Sequence, residues 1–135
     1  MLKFILYIIS LIKDPKTYKW AGVGLLALAG DYGLYNYLLG IIGMDLAKLC
    51  ATFVGVNISF NLNRIWTFKS NGTFFEDLKR YMALYLVAII VNVSVNNLAF
   101  RILEDIDLAY IAALFVSVII GYFGQRLWVY KNRAN

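Results

Sequence analysis

Two arginines with the same neighbours are the residues of this chain best suited to chemistry. Arg64 is followed by Trp66, and Arg126 is followed by Trp128 at the same distance. A guanidinium group donates two parallel hydrogen bonds to a phosphoryl group. An indole ring nearby can pack on an isoprenoid or acyl chain, or present its face to a sugar. The repeated Arg-x-Trp pattern therefore predicts binding of a phosphate that belongs to a lipid.

The neighbours of each arginine strengthen this prediction because a carboxamide precedes it and an aromatic residue and a lysine follow it. The predicted phosphate-binding residues are Arg64, Arg126, Lys69, Lys131, Asn63 and Gln125. The predicted interfacial aromatic residues are Trp66, Trp128, Phe68 and Tyr130. The alternative is topological: arginine at the end of a membrane helix snorkels and complements the helix dipole, while tryptophan anchors at the interface.

The residues before each Arg-x-Trp pattern also repeat, always at a spacing of 62 residues. Asp45-Leu46-Ala47 returns as Asp107-Leu108-Ala109, and Ala51 returns as Ala113. A constant spacing over a long segment predicts an internal duplication. Each half holds one helical hairpin, so the halves are predicted to be parallel repeats with both arginines on the same side of the membrane.

Composition identifies the elements that must position these residues. The chain has 135 residues, 61% of them hydrophobic, and its mean hydropathy is +0.68, which is more apolar surface than a small soluble core can bury. Four segments approach the roughly 20 apolar residues that span a bilayer. They are Trp20 to Ile42, Leu46 to Asn63, Tyr81 to Phe100 and Leu108 to Gln125. The predicted fold class is an all-α integral membrane protein with four transmembrane helices.

The N-terminal apolar stretch is too short to cross a bilayer, so residues 1–17 are predicted to form an amphipathic helix on the membrane surface. Residues 18–133 are the predicted transmembrane domain. Most of the 13 lysines and arginines fall on one side of this topology, which places both termini in the cytoplasm and the protein in the cytoplasmic membrane. Asp45 and Asp107 are predicted to cap the second and fourth spans.

Several polar side chains interrupt the apolar segments. The predicted groove for a sugar is formed by Asp31, Asn57, Asn61, Asn92 and Asn96. Asn57, Asn61 and Arg64 share one helix face. Asp31 is a functional candidate because a carboxylate near the membrane centre costs about 2.5–3.5 kcal/mol. The alternative for each asparagine is a hydrogen bond that joins neighbouring helices.

Other classes of function find little support in the residues. Histidine is absent and Cys50 is the one cysteine, so the usual zinc sites and the Ser-His and Cys-His nucleophile pairs are excluded. No glycine-rich nucleotide loop is present. The net charge of +5 has no solvated basic face on which nucleic acid can bind. We expect no metal, no cofactor and no enzymatic activity.

The segments Asn61 to Phe68 and Gly124 to Tyr130, together with four spans and this length, resemble the GtrA-like family of small membrane proteins. The resemblance covers roughly Tyr18 to Lys131, and Gln125 departs from the asparagine that is usual there. Asp31 and Asn92 also resemble polar positions of the family. The resemblance implies a role in the synthesis of cell-surface polysaccharide or glycolipid, where members are thought to flip polyprenyl-phosphate-linked sugars.

The leading hypothesis is therefore a flippase for a polyprenyl-phosphate sugar lipid, driven by consumption of that lipid outside. A second hypothesis is a non-catalytic anchor that recruits a membrane glycosyltransferase. A third is a proton-coupled exporter in which Asp31 titrates, and a membrane-embedded hydrolase is the weakest. Four helices make a thin bundle, so a homo-oligomer is also an expectation.

Overall fold

The computed structural model describes residues 2–131, and within this range the secondary structure is entirely helical. There are five α-helices and two single π-helical turns. In chain order they are α1 (Leu2–Lys13), α2 (Pro15–Ile42), α3 (Met44–Leu62), π1 (Asn63–Thr67), α4 (Phe74–Leu103), α5 (Ile106–Gly124) and π2 (Gln125–Val129). The all-α prediction is confirmed. Met1 and residues 132 and 133, which belong to the two predicted domains, lie outside the described residues.

The helices are longer than the apolar segments from which they were predicted. The helix α2 begins at Pro15, directly after Asp14, whose side chain accepts a hydrogen bond from the Lys16 amide at 2.8 Å. The helix α4 begins at Phe74, where Thr73 is the capping residue. An apolar run marks only the part of a helix that lies in the hydrocarbon of the membrane. The capping residue, in contrast, marks the residue at which the helix begins. The connection between π1 and α4 is correspondingly short.

The chain forms two compact units, Met1–Lys69 and Ser70–Asn135. In the first unit α2 packs against α3, and in the second unit α4 packs against α5. Each unit thus contains a long helix, a helix of 19 residues and one π-helical turn of 5 residues. The repeated order of elements agrees with the predicted duplication.

Burial repeats as well, at the same spacing as the sequence. Six pairs of residues, one member in each unit, are all buried. They are Ala47 and Ala109, Ala51 and Ala113, Phe60 and Tyr122, Asn63 and Gln125, Thr67 and Val129, and Phe68 and Tyr130. Both units therefore build their interior from the same positions of the hairpin.

Three stretches of the described chain are long and apolar enough to cross a membrane: α2, α4, and α5 together with π2. The helix α3 was predicted as a span but is not among them. Its 19 residues reach about 28 Å at 1.5 Å per residue, so its length approaches the hydrocarbon thickness. The helix α3 is absent from this group because of its composition. Its hydropathy is lowered by four polar residues, Asp45, Lys48, Asn57 and Asn61.

The capping role predicted for Asp45 and Asp107 is wrong. Gly43 precedes α3 without a side-chain cap, and Asp105 caps α5 by accepting a hydrogen bond from the Leu108 amide at 2.9 Å. Asp45 and Asp107 lie in the first turn of their helices. There a carboxylate still interacts favourably with the helix dipole.

Gly55 in the first unit and Gly124 in the second lie where two helices come close together. A Cβ atom on Gly55 of α3 would lie 3.1 Å from the Ala27 carbonyl oxygen and 3.1 Å from the Asp31 Cβ of α2. A Cβ atom on Gly124 of α5 would overlap the side chain of Leu84. Small residues of this kind permit close backbone approach between membrane helices.

Candidate functional site

Both Arg-x-Trp patterns are wound as π-helical turns. The Phe68 amide donates to the Asn63 carbonyl at 2.9 Å, and the Tyr130 amide donates to the Gln125 carbonyl at 2.9 Å. Each hydrogen bond closes over five residues instead of four. Single π turns are rare and are frequent at functional sites. Their occurrence at the same position of both repeats marks the arginine elements as the candidate site.

A buried carboxamide starts each π turn. Asn63 is 1% exposed and Gln125 is 6% exposed. The Asn63 amide nitrogen donates to the Ser59 hydroxyl at 3.3 Å. Within residues 2–131, the Asn63 Oδ1 and Gln125 Oε1 atoms are buried without a hydrogen-bond partner. These two amides, predicted to bind a headgroup, lie inside their units.

Replacing these amides with apolar residues of similar size should stabilise the protein. A buried polar oxygen without a partner costs about 1–3 kcal/mol, so we expect Asn63→Leu and Gln125→Met each to raise the free energy of unfolding by about 1 kcal/mol. Thermal unfolding in detergent, followed by circular dichroism, measures the change. Asn97→Leu, at an exposed amide of α4, is the control. A fall in stability would show that the buried oxygens are bonded to water or lipid.

Each arginine and the tryptophan after it have different surroundings. The Arg126 guanidinium donates to the Tyr122 hydroxyl at 2.6 Å, one turn back along α5, and its carbon lies 5.8 Å from the centre of the same ring. Residues two apart on a helix do not face each other. Trp128, at 46% exposure, therefore does not share the direction of Arg126. Arg64 is half-buried, and Trp66 is as exposed as Trp128.

In each unit, a cation of the long helix, α2 or α4, contacts the tryptophan of the π turn. The Lys19 ammonium lies 5.2 Å above the Trp66 ring, and the Arg80 guanidinium donates to the Trp128 carbonyl at 3.1 Å. Sequence reasoning missed both cations because it aligned only the second helix of each repeat. The first helices align at a spacing of 61 residues, which pairs Lys19 with Arg80 and would have identified them.

The aromatic and lysine residues at the end of each pattern divide between the interior and the surface. Phe68 is 4% exposed and Tyr130 is 2% exposed, and the Tyr130 ring centre lies 6.4 Å from that of Tyr81. Both rings were predicted to be interfacial, but they belong to the interior of their units. Lys69 and Lys131 are exposed, and Lys69 has a φ of 50°. These lysines are accessible to an anion.

The predicted groove residues of the first unit differ in their partners. The Lys48 ammonium lies 3.0 Å from the Asp31 Oδ1 and forms an ion pair. The Asn57 amide nitrogen donates to the Phe53 carbonyl at 2.8 Å, and that of Asn61 donates to the Asn57 carbonyl at 2.9 Å. Both asparagines thus bond to their own helix, and they do not join it to a neighbour through these donors.

In the second unit Asn92 acts as the alternative interpretation predicts. Its amide nitrogen donates to the Ser117 hydroxyl at 2.8 Å and thereby joins α4 to α5. Asn96 is half-buried on the same helix. Asn92 corresponds to Asp31, and Ser117 corresponds to Gly55, so a neutral hydrogen bond occupies the place that a carboxylate and a glycine occupy in the first unit.

Comparison with known proteins finds a match to one family. Residues 19–134 match a family described as GtrA/DPMS, transmembrane domain. The match contains both π turns and begins at Lys19, after α1. No curated protein is significantly similar to the chain. The family match and the apolar helices identify a membrane protein, and the match points to the synthesis of polysaccharide or glycolipid.

Proposed function

Because the chain belongs to the GtrA/DPMS transmembrane-domain family, we propose that it flips a polyprenyl-phosphate-linked sugar across the cytoplasmic membrane. The sugar lipid then serves glycosylation of cell-surface polysaccharide or glycolipid. In this proposal both termini face the cytoplasm, since most cations fall on that side. The role requires no cofactor and no catalytic residue.

The observation that carries the proposal is the pair of π turns at Arg64 and Arg126. Each turn presents a half-exposed tryptophan and is followed two residues later by an exposed lysine, Lys69 or Lys131. Phosphate bound by a guanidinium group and an ammonium group gains charge-assisted hydrogen bonds, and the indole ring supplies an apolar surface for the polyprenyl chain. A structural arginine needs neither the repeated π turn nor the repeated lysine.

Crossing the membrane makes a second physical demand. Each unsatisfied polar group of a sugar costs several kcal/mol in hydrocarbon, so the sugar needs hydrogen-bonding partners along its path while the tail stays in lipid. We assign this task to Asp31, Asn57 and Asn61 in the first unit, and to Asn92 and Asn96 in the second. Movement is downhill, driven by consumption of the sugar lipid on the far side.

The third hypothesis, a proton-coupled exporter in which Asp31 titrates, does not explain the repeated Arg-x-Trp pattern. Both Asp31 oxygens lie within 3.2 Å of the Lys48 ammonium. Ligand-driven proton release that persists in Asp31→Asn would eliminate this hypothesis.

Reconstitution in liposomes tests the proposed function. Vesicles with polyprenyl-phosphate glucose in the inner leaflet should expose the glucose to an external enzyme within minutes when the protein is present. Protein-free vesicles should expose it far more slowly. Equal rates in the two preparations, combined with detergent co-purification of a glycosyltransferase, would replace the flippase with the recruiting anchor.

A further inference from the structure

A charged cluster in the first unit lies near the middle of α2, away from π1. The Lys48 ammonium is 3.0 Å from the Asp31 Oδ1 and 3.2 Å from the Asp31 Oδ2. The same ammonium is 5.8 Å from the centre of the Tyr35 ring. Asp31 and Tyr35 are four residues apart on α2 and therefore share one face of that helix. We call Asp31, Tyr35 and Lys48 the outer cluster.

The outer cluster packs against α3 on the side of Asp31 and is exposed on the side of Lys48. Gly55 brings the backbone of α3 against Asp31, where even a Cβ atom would be only 3.1 Å from the Asp31 Cβ. The Lys48 side chain is 59% exposed and the Asp31 side chain is 20% exposed. The ion pair can therefore be reached by a ligand from the side of the lysine.

The chemistry of the outer cluster fits a sugar. A carboxylate accepts hydrogen bonds from hydroxyl groups, an ammonium group donates to them, and an aromatic ring packs on the C–H face of a pyranose. A hydroxyl group both donates and accepts, so a polyol can bridge Asp31 and Lys48 without leaving either charge unpaired. Because the ion pair carries no net charge, the attraction of a charged sugar to one partner is offset by repulsion from the other, so a charged sugar gains no net Coulomb energy over an uncharged one.

We propose that Asp31, Tyr35 and Lys48 bind the uncharged glycosyl group of the lipid. This inference rests on the proposed function and adds to it a substrate class and two residues, Tyr35 and Lys48. Gly55, which packs against Asp31, precedes Arg64 by nine residues, or about 14 Å along α3 and π1 at 1.5 Å per residue. The outer cluster therefore lies further along the hairpin than the phosphate site.

The second unit supplies an internal contrast. The residue that corresponds to Lys48 is Tyr110, and the residue that corresponds to Asp31 is Asn92, which already donates to Ser117. The ion pair is therefore not a general requirement of this hairpin. Its presence in the first unit alone, within the described residues, calls for a specific role there.

Binding of two lipids to the detergent-purified protein tests the inference. The probes are farnesyl phosphate and glucosyl farnesyl phosphate, both radiolabelled. We expect the wild type to bind the glucosyl lipid about tenfold more tightly, since the glucosyl group adds hydrogen bonds to the charged groups of Asp31 and Lys48. This preference should disappear in Tyr35→Leu and in Asp31→Asn combined with Lys48→Met. Binding of farnesyl phosphate itself should not change.

The variants are chosen to separate recognition from folding. Tyr35→Leu leaves the ion pair intact, and the double variant leaves no single charge behind. Tyr37→Leu, at an exposed ring of the same helix, and Arg101→Met, at an exposed cation, should keep the preference. A preference that persists in both cluster variants, or equal binding of the two lipids by the wild type, would overturn the inference. If the wild type prefers the glucosyl lipid but does not flip it in liposomes, the proposed function is wrong and the inference about the outer cluster stands.

Discussion

Replacing Arg64 and Arg126 together with alanine should reduce flipping of polyprenyl-phosphate glucose by about a hundredfold or more. Each substitution removes charge-assisted hydrogen bonds to phosphate, worth about 1.5–3 kcal/mol, from its own unit, and the double variant leaves each unit only the lysine after its π turn to hold an anion. The measurement is the rate at which glucose becomes accessible outside reconstituted liposomes. Arg101→Ala is the control because it removes an exposed cation from the other end of α4.

Two further variants separate phosphate binding from the structural role of the same arginines. Tyr122→Phe removes the hydroxyl that accepts the 2.6 Å hydrogen bond from Arg126 and leaves the guanidinium in place. We expect it to lower flipping by less than the Arg126→Ala variant does. Lysine at positions 64 and 126 keeps the charge that fixes topology but not the bidentate geometry. Full activity of that lysine variant would show that the arginines only orient the protein.

Gly55→Leu should disrupt the first unit more than any other single substitution proposed for it. The new side chain has no space because its Cβ would already be 3.1 Å from the Ala27 carbonyl, a backbone atom that moves only if α2 moves. Overpacking of this kind costs about 1–3 kcal/mol, and separating α2 from α3 also disturbs the ion pair of Asp31 and Lys48. We expect a clear fall in the unfolding temperature in detergent.

The matched control is Gly24→Leu on α2. A Cβ atom on Gly24 meets nothing within 4 Å, so the substitution adds a better helix former to an open surface. It should leave the unfolding temperature unchanged or raise it. If Gly55→Leu and Gly24→Leu behave alike, close contact between α2 and α3 does not stabilise the unit.

The sequence predicts the helices and the repeat well because both depend on patterns along the chain. Long apolar runs require helices in lipid, and the spacing of 62 residues places Asn63 and Gln125 at equivalent positions. The same spacing correctly anticipates that Ala47 and Ala109, at equivalent positions, are treated alike by the fold, since both are buried.

Contacts between distant residues are harder to predict. The pattern around Phe68 suggests an interfacial ring, yet the π turn directs it into the interior, because an extra residue in one helical turn rotates everything after it. The sequence alone indicates no partner for Lys19 or Lys48. Their partners, Trp66 and Asp31, lie 47 and 17 residues away and become neighbours only when the hairpin closes.

The buried positions that both units share bear on how the two hairpins have diverged since the duplication. In an internal duplication the two hairpins begin identical, so the buried positions that still match are those that the packing of the hairpin requires. The pair Asp31 and Gly55 of the first unit corresponds to the different pair Asn92 and Ser117 of the second. Those four positions therefore indicate where each half has its own role, whereas the matching buried positions indicate the packing that both halves share.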